Sequence, residues 1–88
     1  MQKSVHTAEY RALRAELVHA RKKAGFTQRD VAALLHVAPS WVAKVEAGER
    51  RIDLIELCWF LAACEADPVP VLKRIAVAAK GFKGGRKK

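Results

Sequence analysis

The chain has 88 residues, 51% of them hydrophobic and 30% charged, with a formal net charge of +8. That length fits one domain with a thin core, and the balance excludes a disordered chain. A positive field of this size attracts polyanions such as nucleic acid or an anionic surface. It is unevenly placed: Lys80, Lys83, Arg86, Lys87 and Lys88 supply five of the eight excess positives. The pattern is a flexible basic tail on a mildly basic body, and such tails also serve solubility alone. No apolar run reaches the length of a membrane span, and the start MQKSVHTAEY has no signal-peptide core. A cytoplasmic protein without membrane association is expected.

The first helix is expected over about residues 7–24. Tyr10, Leu13, Leu17 and Ala20 recur at three- and four-residue spacing, which is one helical face. Gly25 is suited to a left-handed cap. The second helix opens at Thr27, with Asp30 three residues later in a capping-box arrangement. Val31, Leu34 and Leu35 are its expected buried stripe, and His36-Val37 break it. The third opens at Ala38-Pro39, where proline suits the first helical position, and Gly48 ends it. Trp41, Val42 and Val45 are its apolar anchors.

The fourth helix starts at Asp53, with Glu56 three later, and runs to about Cys64. It is apolar nearly all round, which predicts burial on two sides. The fifth starts at Asp67-Pro68, with Val71, Leu72, Ile75 and Ala79 as its stripe. No strand is predicted. One domain over residues 1–79 with a tail over 80–88 is expected. Cys58 and Cys64 are six apart, so they face different ways on one helix and cannot pair within it. Both are expected as small buried residues in a reducing compartment, with no metal or cofactor.

Residues 27–48, TQRDVAALLHVAPSWVAKVEAG, read as a short helix, a tight turn and a second short helix. That geometry lets one helix brace while the next enters a groove of DNA. With Val42 and Val45 facing the core, Pro39, Ser40, Ala43 and Lys44 turn outward and Trp41 lies at the boundary. Lys44 can reach a guanine edge or a phosphate, and Ser40 can donate or accept. Pro39 and Ala43 offer only apolar contact, so part of any specificity must come from DNA shape. Trp41 either stacks against sugar-phosphate or packs the short helix down. Arg29, Arg50 and Arg51 are candidate phosphate contacts.

The chain resembles the Cro/phage-repressor-like, or Xre, helix-turn-helix family over about residues 8–76. The resemblance rests on Leu13-Arg14, Arg21, Gly25, Thr27-Gln28, Val31-Ala32, Leu35, Val37, Ser40, Val42, Lys44-Val45-Glu46, Gly48-Glu49-Arg50 and Asp67-Pro68. It implies an all-α, compact five-helix lambda-repressor-like domain that binds double-stranded DNA. By resemblance, Pro39, Ser40 and Lys44 face base edges. Gln28 meets phosphate and orders a side chain of the reading helix, and Arg21 pairs with Glu46 to orient that helix. The resemblance further implies a bacterial or phage-encoded, nucleoid-associated regulator, most often a repressor.

Two positions depart from the family pattern: His36 and Glu65-Ala66 stand where turn glycines are usual. Trp59 is a third oddity, since its position is usually polar and outward. With Ile55 and Ala62 it predicts an apolar patch where the fourth and fifth helices meet a second copy in a homodimer. The alternative is that the fifth helix folds over Trp59 within one chain. A homodimer implies a palindromic operator.

Nothing in the sequence supports an enzyme: there is no phosphate loop, no neighbouring Cys/His pair and no carboxylate pair with a plausible pocket. The competing function is a protein-interaction, coactivator or architectural module that uses the same fold without strong sequence readout. No room exists for a separate ligand-sensing domain, so no small-molecule substrate is expected. Control by concentration or by a protein partner, a toxin or another regulator, is expected instead.

Overall fold

The computed structural model describes residues 7–81, all of whose regular elements are helices. They are α1 (Ala8–Lys23), α2 (Gln28–Leu35), α3 (Pro39–Ala47), α4 (Leu54–Ala63) and α5 (Pro68–Ala79). Four N-termini are closed by side chains. Thr7 accepts from the Tyr10 amide, and Asp67 accepts from the Val69 amide. Thr27/Asp30 and Asp53/Glu56 form full capping boxes, in which each member satisfies an amide of the other. Ala38 makes no capping bond, so α3 begins on proline geometry and packing alone.

The turns after α1 to α4 share one solution. Gly25, His36, Gly48 and Glu65 all take positive φ, at 80°, 59°, 80° and 56°. In each, the following amide reaches back to a carbonyl five residues earlier, as Val37 does to Ala32 at 3.0 Å and Ala66 to Leu61 at 2.8 Å. The two positions where the family pattern expects glycine therefore keep the left-handed turn with His36 and Glu65. A side chain at positive φ costs roughly 1–2 kcal/mol, which the surrounding packing offsets.

Leu17, Val31, Val42, Val45, Phe60 and Leu61 are fully buried and hold the helices around one core. Complete burial of Phe60 alone contributes about 1.5–3 kcal/mol. The core draws on every helix, with Leu13 and Ala20 from α1, Leu57 and Cys64 around α4, and Val71 from α5. Burial also raises the Cys64 thiol pKa above its ordinary value.

Four expectations need correction. Leu34 is not part of the α2 stripe: it is 51% exposed, and Ala32 takes the buried place beside Val31. α4 is buried on one side only, because Leu54, Ile55 and Trp59 remain 55–60% exposed. Cys58 is half-buried rather than buried, and both cysteines are free. Leu72 lies on the outer side of α5, while Val71 and Ile75 face the core. The three on α4 and α5 have one cause. α5 packs chiefly on α1 rather than across α4, so part of the apolar surface of α4 and α5 has no neighbour in the chain. Of the expected basic tail, only Lys80 and Gly81 lie within the described residues; Lys83, Arg86, Lys87 and Lys88 lie outside them.

Candidate nucleic-acid interface

The α2–α3 pair is built from the core outward. Val31 and Ala32 of α2 and Val42 and Val45 of α3 are buried. Helical geometry then turns the opposite side of α3 to solvent: Pro39, Ser40, Lys44 and Ala47 are exposed, and Ala43 is half-buried. The outward row is therefore one turn longer than expected. Ala47 extends it and was missed, although its spacing from Ser40 and Lys44 places it on the same face.

A polar network fixes how this row is presented. Arg21 of α1 grips Glu46 of α3 with two parallel bonds, Nε to Oε2 at 2.8 Å and Nη2 to Oε1 at 3.0 Å. Its remaining nitrogen, Nη1, donates to the Phe26 carbonyl at 3.0 Å. The side chains are only 12% and 5% exposed, so the pair is well screened from water. The Glu46 hydrogen bonds hold the Arg21 guanidinium pKa above its ordinary value. Gln28 joins the same hub, its Nε2 donating to Glu46 Oε1 at 2.9 Å.

That last bond assigns the Gln28 amide. A carboxylate only accepts, so the NH₂ group must face Glu46, which leaves a second N–H for another acceptor such as phosphate. Gln28 also heads α2, beside exposed Arg29. Asp30 and Thr27 occupy each other's amides, so the Gln28 and Arg29 amides remain at the helix start, where anions are favoured. The Thr27 bonds keep the Asp30 carboxyl pKa below its ordinary value.

The other edge is the loop from Gly48 to Asp53. Arg50 and Arg51 are both exposed. Arg50 lies over the Trp41 ring, 5.2 Å from its centroid, and donates to the Arg51 carbonyl at 2.9 Å. Trp41 itself is half-buried and packs on the core. It thus holds down the short helix and carries a guanidinium on its outer face. The Ile52 amide donates to Tyr10 Oη at 2.6 Å, which ties the loop to α1. Arg14 was not singled out for a role here. Its guanidinium lies so close over Gly48 that a Cβ there would collide with it. The Arg14 Nε atom is buried without a hydrogen-bond partner.

The structure thus brings Gln28, Arg29, Pro39, Ser40, Trp41, Lys44, Arg50 and Arg51 onto the α2–α3 unit and its adjoining loop, with Arg21 and Glu46 behind it. Ile55, Trp59 and Ala62 are exposed on α4. Trp59 and Ala62, with Ala63, line a shallow groove together with Leu34, Leu35 and His36. Among the described residues no cluster of His, Cys, Asp and Glu is arranged to hold a metal. No described helix is long and apolar enough to cross a membrane.

Comparison with known proteins agrees with this architecture. The family model described as a helix-turn-helix domain matches residues 12–73. An Xre-family-like protein from Pseudomonas syringae pv. tomato strain DC3000 superposes with a TM-score of 0.77 at 39% identity. The match covers 84% of this chain and 90% of that one. No curated protein sequence matches. The chain belongs to the Xre-type helix-turn-helix family, whose members are DNA-binding regulators of transcription.

Proposed function

We propose that this chain is a sequence-specific reader of double-stranded DNA that acts as a transcriptional repressor, binding a palindromic operator as a homodimer. The observation that carries the reading is the outward row of α3 held by the Arg21–Glu46–Gln28 network. Lys44 and Ser40 supply polar contacts to base edges, while Pro39, Ala43 and Ala47 let the helix approach thymine methyl groups. Gln28, Arg29, Arg50 and Arg51 set the register on phosphates to either side. Such a protein works in a bacterial cytoplasm, on the nucleoid, and is controlled by its own concentration or by a protein partner.

Selection from a random duplex pool, followed by salt titration on the selected and on random duplexes, tests the reading. The selected site is expected to bind roughly 10³-fold or more tightly than random DNA. A ratio near unity would overturn it and favour an interaction or architectural module.

The α4 patch supports pairing with a second copy. Ile55, Trp59 and Ala62 carry no charge, and Leu34 beside them carries none. A neutral face is where two molecules of like charge can approach. Twofold pairing there would set two reading helices about 34 Å apart, one turn of DNA. Sedimentation alone and on the operator tests this: Trp59→Ala should weaken pairing while half-site binding persists. A wild-type chain that stays monomeric in both conditions sinks the dimer.

A further inference from the structure

The net charge is segregated along the chain in a way that the DNA-reading surface does not use. Residues 1–67 hold ten Lys and Arg against nine Asp and Glu, whereas residues 68–88 hold seven Lys and Arg and no acid. The acid-free segment begins with α5. α3 is held to α1 through Arg21 on Glu46 and Arg14 over Gly48. α5 is held through Arg74, which grips Glu16 with bonds of 2.7 and 2.8 Å. At 3.6 residues per turn, Arg14 and Arg21 lie on the opposite side of α1 from Glu16. The cation-rich helix is thus set away from the reading helix.

The outer side of α5 carries Val69, Leu72, Lys73, Ala76, Val77 and Lys80, a continuous row at three- and four-residue spacing. Val69 is 54% exposed, Leu72 39% and Val77 64%. Lys73 and Lys80 are exposed two turns apart, about 10.5 Å, with no acidic residue on the helix between them. The row is apolar and cationic together, which restricts what fits it. A phosphate backbone would satisfy the lysines and gain nothing from Val69, Leu72 and Val77. A second copy would bring lysines against lysines, in contrast to the uncharged α4 patch.

We infer that the outer face of α5 is a docking surface for a partner protein, specifically for an acidic segment that carries apolar residues between its carboxylates. The inference builds on the proposed control by a protein partner and supplies its surface and its chemistry. Because α5 lies away from α3, the partner is accommodated while the chain is on DNA.

The test uses the full chain, free and bound to a duplex, with backbone amide chemical shifts as the readout. The probe is a synthetic amphipathic peptide with glutamates seven residues apart and leucines between them; a scrambled peptide of the same composition is the control. The ordered peptide is expected to shift the amides of residues 69–80 in both states and to bind about tenfold more tightly than the scrambled one. Lys73→Glu with Lys80→Glu should lower peptide affinity about tenfold or more, and Leu72→Ala with Val77→Ala several-fold. Duplex affinity of these variants, measured in parallel, should stay within about a factor of two, and it reports on DNA reading separately from docking.

Equal binding of ordered and scrambled peptides overturns the proposal, since charge alone would then suffice. Shifts confined to α3 or α4 overturn it as well. Stronger perturbation of α5 by a random duplex or by anionic phosphatidylglycerol vesicles than by the peptide would reassign the face to a polyanion or a lipid surface.

Discussion

The α1–α3 part and the α4–α5 part of this molecule use their surfaces in opposite ways. In the first, polar side chains from two helices converge on a carboxylate of the third: Arg21 and Gln28 both donate to Glu46, and Arg21 also holds the Phe26 carbonyl. In the second, the described link between α5 and the remainder through side-chain bonds is the exposed Arg74–Glu16 pair, and large apolar residues face outward. A helix that must enter a groove at one angle needs directional bonds, because apolar packing alone tolerates small rotations. Helices that meet other proteins need apolar surface left unspent. The contrast teaches that directional polar bonds and uncovered apolar surface are assigned to different halves of one small core.

Removing the hub should give the largest effect. Glu46→Ala strips two partners at once and leaves Arg21 largely buried without a counter-charge. A loss of about 3 kcal/mol is expected in denaturant unfolding, together with weakened site-specific DNA binding. An unfolding midpoint unchanged from the parent would show that the network orients nothing. Gly48→Ala follows, at about 2–3 kcal/mol, since it meets both a left-handed backbone and the Arg14 guanidinium. Adding Arg14→Ala should recover part of that loss, leaving the backbone share; a strictly additive double variant would break the explanation.

His36→Gly should act the other way, with a gain of about 0.5–1 kcal/mol, because glycine takes the left-handed turn without strain. Thermal unfolding checks the sign. On the α4–α5 side, Trp59→Ala should change monomer stability by no more than about 0.5 kcal/mol, as befits a residue 60% exposed, while it weakens pairing. A large loss of monomer stability would mean that the patch is internal structure and would erase the contrast between the halves.

The smallest effect concerns pH. The Arg74 hydrogen bonds hold the Glu16 carboxyl pKa below its ordinary value, against the opposing effect of burial. A carboxylate with a lowered folded pKa adds stability above its ordinary pKa and loses it as pH falls through the lowered value. Acid titration of unfolding should therefore show a shallower loss of stability across that interval in Glu16→Gln. The difference is expected to be slight, because the Arg74 side chain is 56% exposed and water screens the pair. Identical acid profiles for the two proteins would show that the pair contributes nothing.

Much of the site was legible because it depends on near neighbours. Thr27 and Asp30, Asp53 and Glu56, and Pro39 after Ala38 announce helix starts within four residues of themselves. Val42 and Val45 announce which side of α3 faces inward, and so which residues face outward. Arg21 and Glu46 were found through family likeness; spacing alone cannot join residues 25 apart in sequence. Family likeness likewise had Gln28 ordering a side chain of the reading helix, which the structure identifies as Glu46; Arg14 over Gly48 carried no local signal, since it depends on how α1 crosses the end of α3.

The sequence by itself thus determined five helices, their caps and the outward row of α3. Helix starts and faces are set by hydrogen bonds and periodicity within a few residues. Family likeness marked His36 and Glu65-Ala66 as standing where turn glycines are usual, and the structure added that His36 and Glu65 both take positive φ. Tertiary structure alone decided that Leu34 lies outside and that α4 is covered on one side, and it chose the outward Trp59 over one folded under α5. It alone set α5 against α1, away from the reading helix. Periodicity tells which residues share a face, but burial depends on what stands opposite that face, and only the packing of the whole chain supplies that.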